Sequence, residues 1–340
     1  MQANRIQLIA ITAIYGVWAL FFPFFKAPFL ADYYYMPFLG LIAATVANTT
    51  PAAAGIVYFP ILTRLHTPPE TAAQFSLMIQ AFGMGIGTIR WFFVNNRLFL
   101  LSILPFCLSG GIIGISFSIL VMPIQHPEVL TLTFNAVAFI FTQFIFVSIL
   151  AKRPYPKTHI QMSAGNRVLF FIVGLVGGVI SGWIGFGIDT IFYFLLTLVF
   201  RINPAIAIVT SISIMAVISI FGAVLHVCVH TVPLTLWYAA IPGVTLAGLF
   251  LAAWFAIRLG VRNILLMFTS FLTIDFFMAF WTQQALPLST TVRTGVTYLL
   301  VAYLLVIHVR IFKNGYVVID PEHRNFKPGK LSDRPGPQQD

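Results

Sequence analysis

An apolar run too long for one membrane crossing, and broken at its centre, constrains this chain more than any other feature. Gly174 to Ser211 reads GLVGGVISGWIGFGIDTIFYFLLTLVFRINPAIAIVTS, with Gly182, Gly185, Gly187 and Asp189 in its middle and Asn203-Pro204 near its close. A continuous spanning helix takes about 20 apolar residues, so the run reads as two shorter helices joined at a glycine-rich break. That break lies at membrane depth, where irregular backbone is tolerated only if it is buried in protein or lines a cavity. Gly40 to Ser76, GLIAATVANTTPAAAGIVYFPILTRLHTPPETAAQFS, repeats the pattern: Gly40 matches Gly174, Pro69 matches Pro204, Ala72 matches Ala207 and Ser76 matches Ser211. Gly87 pairs with Gly222 and Pro105 with Pro242 further on. The chain reads as an internal duplication.

Composition then fixes the solvent. With 59% hydrophobic and 8% charged residues and a mean hydropathy of +0.94, the chain is far from a soluble domain, in which about a quarter of residues are charged. An all-α polytopic membrane protein follows. HExxH, Walker A and GxSxG motifs do not occur, so neither an enzyme nor an ATP-driven pump is expected, and no cofactor or metal is called for. The formal net charge of +10 comes largely from basic residues that flank spans or follow Arg310. Topology accounts for them better than a nucleic-acid partner does. Cys107 and Cys228 both fall within apolar segments, so no disulfide framework is expected.

The expected organisation is a single transmembrane domain over residues 1–312, with halves at about 36–150 and 167–284, and a disordered cytoplasmic tail over 313–340. A first span covers 6–25. A broken element over 36–66 is followed by spans at 69–92, 98–122 and 128–150. A second broken element over 167–200 is followed by spans at 204–229, 234–258, 263–284 and 288–312. Orientation comes from Lys and Arg in short loops. Arg90 and Arg97, then Lys152, Arg153 and Lys157, then Arg258 and Arg262, then Arg310 and Lys313 fall on one side only if each broken element enters and returns on the same face. Both termini are then cytoplasmic and Asp32, Glu70 and Glu128 external, with Arg64 and Arg293 as exceptions. The halves become two inverted repeats, each a broken-helix hairpin plus three spans, with additional terminal spans. This is the pattern of secondary transporters, whose sites lie near the midplane between the repeats.

Chemistry is expected at the two breaks. In the first, Asn48-Thr49-Thr50-Pro51 suggests Thr50 as N-cap and Pro51 in the first turn of a returning half-helix. In the second, Gly182, Gly185 and Gly187 let a ligand approach the backbone. Two converging helix starts, with the amide and hydroxyls of Asn48, Thr49 and Thr50, would suit a small anion. Gln74, Ser76 and Gln80, and Ser211 in the second half, are candidates to line the path or to bond across helices. Small residues also occur wherever spans pack closely. Asp189 and Asp275 are ionisable residues at bilayer depth, which makes them candidate proton or sodium coupling sites. A helix-start role for Asp189, and pairing with a neighbouring span for Asp275, are the alternatives.

At these motifs the sequence resembles the sulfite exporter TauE/SafE-type family of membrane transporters. The first half-motif is NTTPAAAGIVYFPIL with Pro68-Pro69 and Ala72, and the second is SGWIGFGIDTIFYFLL with Asn203-Pro204, Ala207 and Thr210-Ser211. The resemblance covers about 36–285. It implies a multi-pass transporter in the cell's inner membrane that exports small anions, such as sulfite, sulfonates or related organosulfur and carboxylate anions, coupled to an ion gradient. Ala52-Ala53-Ala54 stand where the family's first motif has a glycine cluster, with Gly55 retained. A non-transporting membrane scaffold or accessory subunit, and a passive anion channel, are the competing readings.

Overall fold

The computed structural model describes residues 2–124, 126–150, 157–229, 231–252 and 289–313, with scattered positions between 254 and 281. The connector from Lys152 to Pro156, part of the span expected at 263–284, and the tail beyond Lys313 lie outside the described residues. The helices are α1 (Gln2–Asp32), α2 (Met36–Thr49), α3 (Gly55–Arg64), α4 (Pro69–Val94), α5 (Leu104–Ser116), α6 (Pro127–Leu150), α7 (Ala164–Ile184), α8 (Ile188–Phe194), α9 (Pro204–Val229), α10 (Leu234–Leu246) and α11 (Thr290–Lys313). Three of them run on into π-helical turns: α5 over Phe117–Val121, α8 over Leu195–Val199 and α10 over Ala247–Leu251. No strand occurs among the described residues.

Helix length separates spans from arms. With 14 and 10 residues, α2 and α3 are about 21 and 15 Å long, short of a hydrocarbon core of about 30 Å. Each of α4, α5, α7, α9, α10 and α11 contains a stretch long and apolar enough to cross. The chain is therefore an all-α polytopic membrane protein. The two arms of the second hairpin are unequal, which the sequence pattern did not suggest. Ser163 accepts a bond from the Asn166 N–H at 3.2 Å and so starts α7 early, giving it 21 residues.

The two broken elements end alike in the backbone. His66 and Arg201, each just after a hairpin's second arm, take left-handed φ values of 62° and 55°. They stand as far apart in sequence as Pro69 and Pro204, the first residues of α4 and α9. Packing follows the same exchange. The first-half helix α5 packs on the second-half helix α7, α10 of the second half packs on α2 of the first, and α4 packs on α9 at the centre.

Glycines permit both close pairs. A Cβ on Gly174 would fall 2.4 Å from the Cys107 carbonyl oxygen, one on Gly178 2.3 Å from that of Gly111, and one on Gly110 2.1 Å from that of Phe171. A Cβ on Gly40 would fall 2.8 Å from the Ala240 carbonyl, and one on Gly243 1.7 Å from that of Pro37. Contact positions rise together along α5 and α7, from Cys107 with Gly174 to Gly111 with Gly178, and along α2 and α10, from Gly40 with Ala240 to Asn48 with Gly248, so each pair runs parallel. Gly40 meets Ala240 as Gly174 meets Cys107, which aligns Cys107 with Ala240 and Gly110 with Gly243. This is a different register from the Pro105–Pro242 pairing read from sequence.

α1 docks on α10 by reciprocal bonds. Trp18 Nε1 donates to the Tyr238 carbonyl at 3.0 Å, Tyr238 Oη donates to the Trp18 carbonyl at 2.6 Å, and the two rings stack at 5.2 Å. Elsewhere on α1, Leu8, Leu20 and Phe24 are exposed, as a lipid-facing surface requires.

Both exceptions to the basic-residue count have partners. Arg64 forms an ion pair with Asp275. Arg293 donates to the carbonyls of Phe280 and Trp281 at 2.9 and 3.0 Å. Arg90, counted above as a loop residue, lies inside α4 and is buried.

Candidate functional site

At the second break, Gly185 ends α7 in the left-handed region with φ 77°, and Gly187 precedes α8 with φ 133°. Residues with a Cβ rarely adopt these values, so glycine is demanded here by backbone geometry. The new helix start is already occupied. Ser181 Oγ accepts the Ile188 N–H at 3.0 Å. The Asp189 carboxylate, in the first turn of α8, faces the backbone N–H groups of Gly187, Asp189 and Thr190. Asp189 is fully buried, and its Oδ2 has no hydrogen-bond partner among the described residues.

The first break differs from its sequence reading. Thr50 is the C-cap of α2, not the N-cap of α3, and Pro51 lies in the connection; α3 begins at Gly55. Thr50 has extended backbone with φ −132° and ψ 164°. Its Oγ1 donates to Val46 O at 2.8 Å and accepts the Ala52 N–H at 3.2 Å, a local bond that competes with helix continuation. Thr49 Oγ1 donates to Thr45 O at 2.7 Å and Asn48 Nδ2 to Ala44 O at 2.8 Å. The side-chain donors of Asn48, Thr49 and Thr50 are thus turned back onto α2. Backbone donors remain at this break: the Gly55 N–H opens α3, and no earlier turn of its own helix can satisfy it.

The two breaks touch. Thr190 Oγ1 donates to Pro51 O at 2.7 Å. A Cβ on Gly55 would lie 2.8 Å from Gly185 O and 3.3 Å from Phe186 Cβ. Gln80 on α4 joins them, its Nε2 donating to Gly185 O at 2.6 Å and to Ser76 O at 2.7 Å. Beside the first break is a small cavity lined by Asn48, Ala54, Tyr58, Gln80, Gly83 and Val244, with about 10 Å³ open to the centre of a water molecule. That is near the minimum for one water. Three lining residues carry buried polar atoms without a partner: Asn48 Oδ1, Tyr58 Oη and Gln80 Oε1. That cavity admits nothing larger than a water molecule.

The other sequence candidates divide clearly. Ser76 belongs at the second break, where its Cβ would be 3.0 Å from a Cβ on Gly185, although its hydroxyl donates to Ala72 O at 2.7 Å. Gln74 is half-buried, two positions from Ser76 and so on another face of α4. Gly182 faces α5, where a Cβ would be 1.9 Å from Ser118 Oγ, and so serves helix packing instead of the break. Ser211 is buried and bonds Ile208 O of its own helix at 3.0 Å. Asp275 is held by Arg64 at the end of α3, away from the breaks. Sequence reasoning missed Thr190 and Tyr58. Thr190 adjoins Asp189 but carries no local sign of its Pro51 partner. Tyr58 was masked by the apolar run around it.

Against known proteins, residues 36–280 match the family model described as Sulfite exporter TauE/SafE. No curated protein and no solved structure matches the chain.

Proposed function

The chain belongs to the sulfite exporter TauE/SafE family, and from that premise we propose that it is a secondary transporter that exports sulfite or a related small oxyanion or sulfonate. The family accounts for a membrane transporter of sulfite or related anions. The site and the coupling are our reading. In it, the anion binds between the breaks, at the opening turn of α3 and the backbone from Gly185 to Gly187. Asn48, Thr49 and Thr50 shape that position, and their donors reach the ligand only by leaving the α2 carbonyls.

The observation that carries this reading is the contact between the breaks, with a buried and incompletely partnered Asp189 at one of them. An ionised Asp189 acts as an internal anion at the start of α8. At about 5 Å from a bound anion it would repel that anion by roughly 3 kcal/mol at an effective dielectric near 20. Protonation removes the repulsion and frees the helix start, so proton and anion load together. A sulfite dianion with one proton carries a net charge of −1. An inside-negative potential drives that charge outward by about 2.3 kcal/mol per 100 mV.

Proteoliposomes loaded with labelled sulfite test the reading. Efflux should accelerate with acid on the loading side and with an inside-negative potential. Absence of flux would favour a scaffold, and a conductive flux indifferent to pH would favour a channel.

A further inference from the structure

Arg90 is a buried cation without a counter-charge among the described residues. Its residue is 5% exposed, and it lies ten positions after Gln80 on α4, about 15 Å along the axis. Nη1 donates to Gly248 O at 3.0 Å, and Cζ lies 4.7 Å from the centroid of the Trp91 ring. Nη2 has no hydrogen-bond partner among the described residues, and neither does Nε1 of the adjoining Trp91.

The acidic residues up to Lys313 are Asp32, Glu70, Glu128, Asp189 and Asp275. Each is accounted for elsewhere. Asp275 pairs with Arg64, and Asp189 is at the second break. Asp32 and Glu128 are exposed, and Glu70 stands in the first turn of α4, at the opposite end from Arg90. A buried guanidinium left unpaired is strongly unfavourable. Its free donors form a planar fork that suits the oxygens of an oxyanion.

Its place joins it to the first break. Gly248 accepts from Arg90, and a Cβ on Gly248 would lie 3.9 Å from Asn48 Nδ2. Asn48 and Arg90 therefore flank one glycine, with Arg90 nearer the α4 end that the basic-residue count makes cytoplasmic.

We propose that Arg90, with the indole N–H of Trp91 beside it, forms a second oxyanion site that gathers substrate on the cytoplasmic approach to the breaks. The inference rests on the anion-transport reading above. It adds a ligand site that the breaks do not supply, and its ligand is either the transported oxyanion or the phosphate of a lipid headgroup, of which we favour the first.

Vesicles of either orientation, carrying the full chain, separate these outcomes. In vesicles with the cytoplasmic face outward, Arg90→Gln should raise the KM for labelled sulfite by about tenfold or more, as loss of a hydrogen bond from a charged group implies. The maximal rate should stay within about twofold of wild type, on the expectation that the arginine binds ground state and transition state alike. Arg90→Lys should fall between, because it keeps the charge and loses the fork. From the external face, KM should not move.

Equal loss of maximal rate from both faces at constant KM would make Arg90 structural and overturn the proposal. So would wild-type activity that requires phosphatidylglycerol in phosphatidylcholine liposomes while the sulfite KM ignores Arg90→Gln, since the headgroup would then be the ligand. If the variants fail to fold, or wild type moves no sulfite, modification of wild-type Arg90 by phenylglyoxal, read by mass spectrometry, still decides. Protection by sulfite or sulfate sustains the site even where the transport reading has failed, and labelling indifferent to both anions removes it.

Discussion

Gly185→Ala is expected to damage both stability and transport, and its cost can be worked from the second break. At φ 77° a residue with a Cβ carries a penalty of about 1–2 kcal/mol. The new Cβ would stand 2.7 Å from Ala73 O and 3.0 Å from Ser76 Cβ. One neighbour is backbone, so α4 or the break must shift, at about 1–3 kcal/mol. The shift pulls Gly185 O from Gln80 Nε2, now 2.6 Å away, and loses about 0.5–1.5 kcal/mol more. The sum is roughly 2.5–6.5 kcal/mol. Gly85→Ala is the control: nothing lies within 4 Å of its Cβ, and helix propensity gains up to about 1 kcal/mol. Thermal denaturation in mild detergent should place Gly185→Ala several degrees below wild type and Gly85→Ala at or above it. Gly185→Asn should recover only the conformational part, because asparagine tolerates the left-handed region but keeps the Cβ. A Gly185→Ala protein as stable and as active as Gly85→Ala would refute the account of the break.

Asp189→Asn should retain sulfite binding and flatten the pH dependence of efflux; an unchanged profile would reduce Asp189 to a helix-start residue. Arg64→Ala should destabilise more than Asp275→Asn because it leaves a buried carboxylate unpaired, and the double variant should unfold near the Asp275→Asn value; additive losses would show that the two side chains do not interact. Cysteines placed at Lys157 and Arg201, on either side of α7 and α8, should both react with an impermeant maleimide from the cytoplasmic face, and one at Glu128 from the external face; labelling of the Lys157 and Arg201 positions from opposite sides would defeat the hairpin topology.

Much of this fold is readable because membrane helices announce themselves by length. The break at Gly185 to Gly187 was marked by glycines that the backbone does require, and α8 starts where those glycines end. The first break was harder to read. Thr50-Pro51 has the composition of a helix start, but the Thr50 hydroxyl can equally close the helix before it, and three alanines carry no preference that would move the start to Gly55. Asn48 looked like a ligand because it is polar, whereas its amide nitrogen is used at once by its own helix. Long-range partners leave no local trace, which is why the Thr190–Pro51 bond and the Arg64–Asp275 pair could not be seen in the sequence. Arg90 was misread for the same reason: the positive-inside count scores a residue's position along the chain and is blind to which way the helix turns it.

The exchange of partners between the halves has a consequence for how the protein is made. The glycine-lined face of α2 is completed by α10, some two hundred residues later in synthesis. Until Leu234 and its successors leave the ribosome, α2 and the break after it stand without the helix that packs on them. That bent backbone must then be sheltered by lipid defects, by the insertion machinery, or by chaperone helices. Nascent chains arrested before Leu234 should therefore crosslink from Gly40 to the insertion machinery, and release should coincide with the arrival of α10.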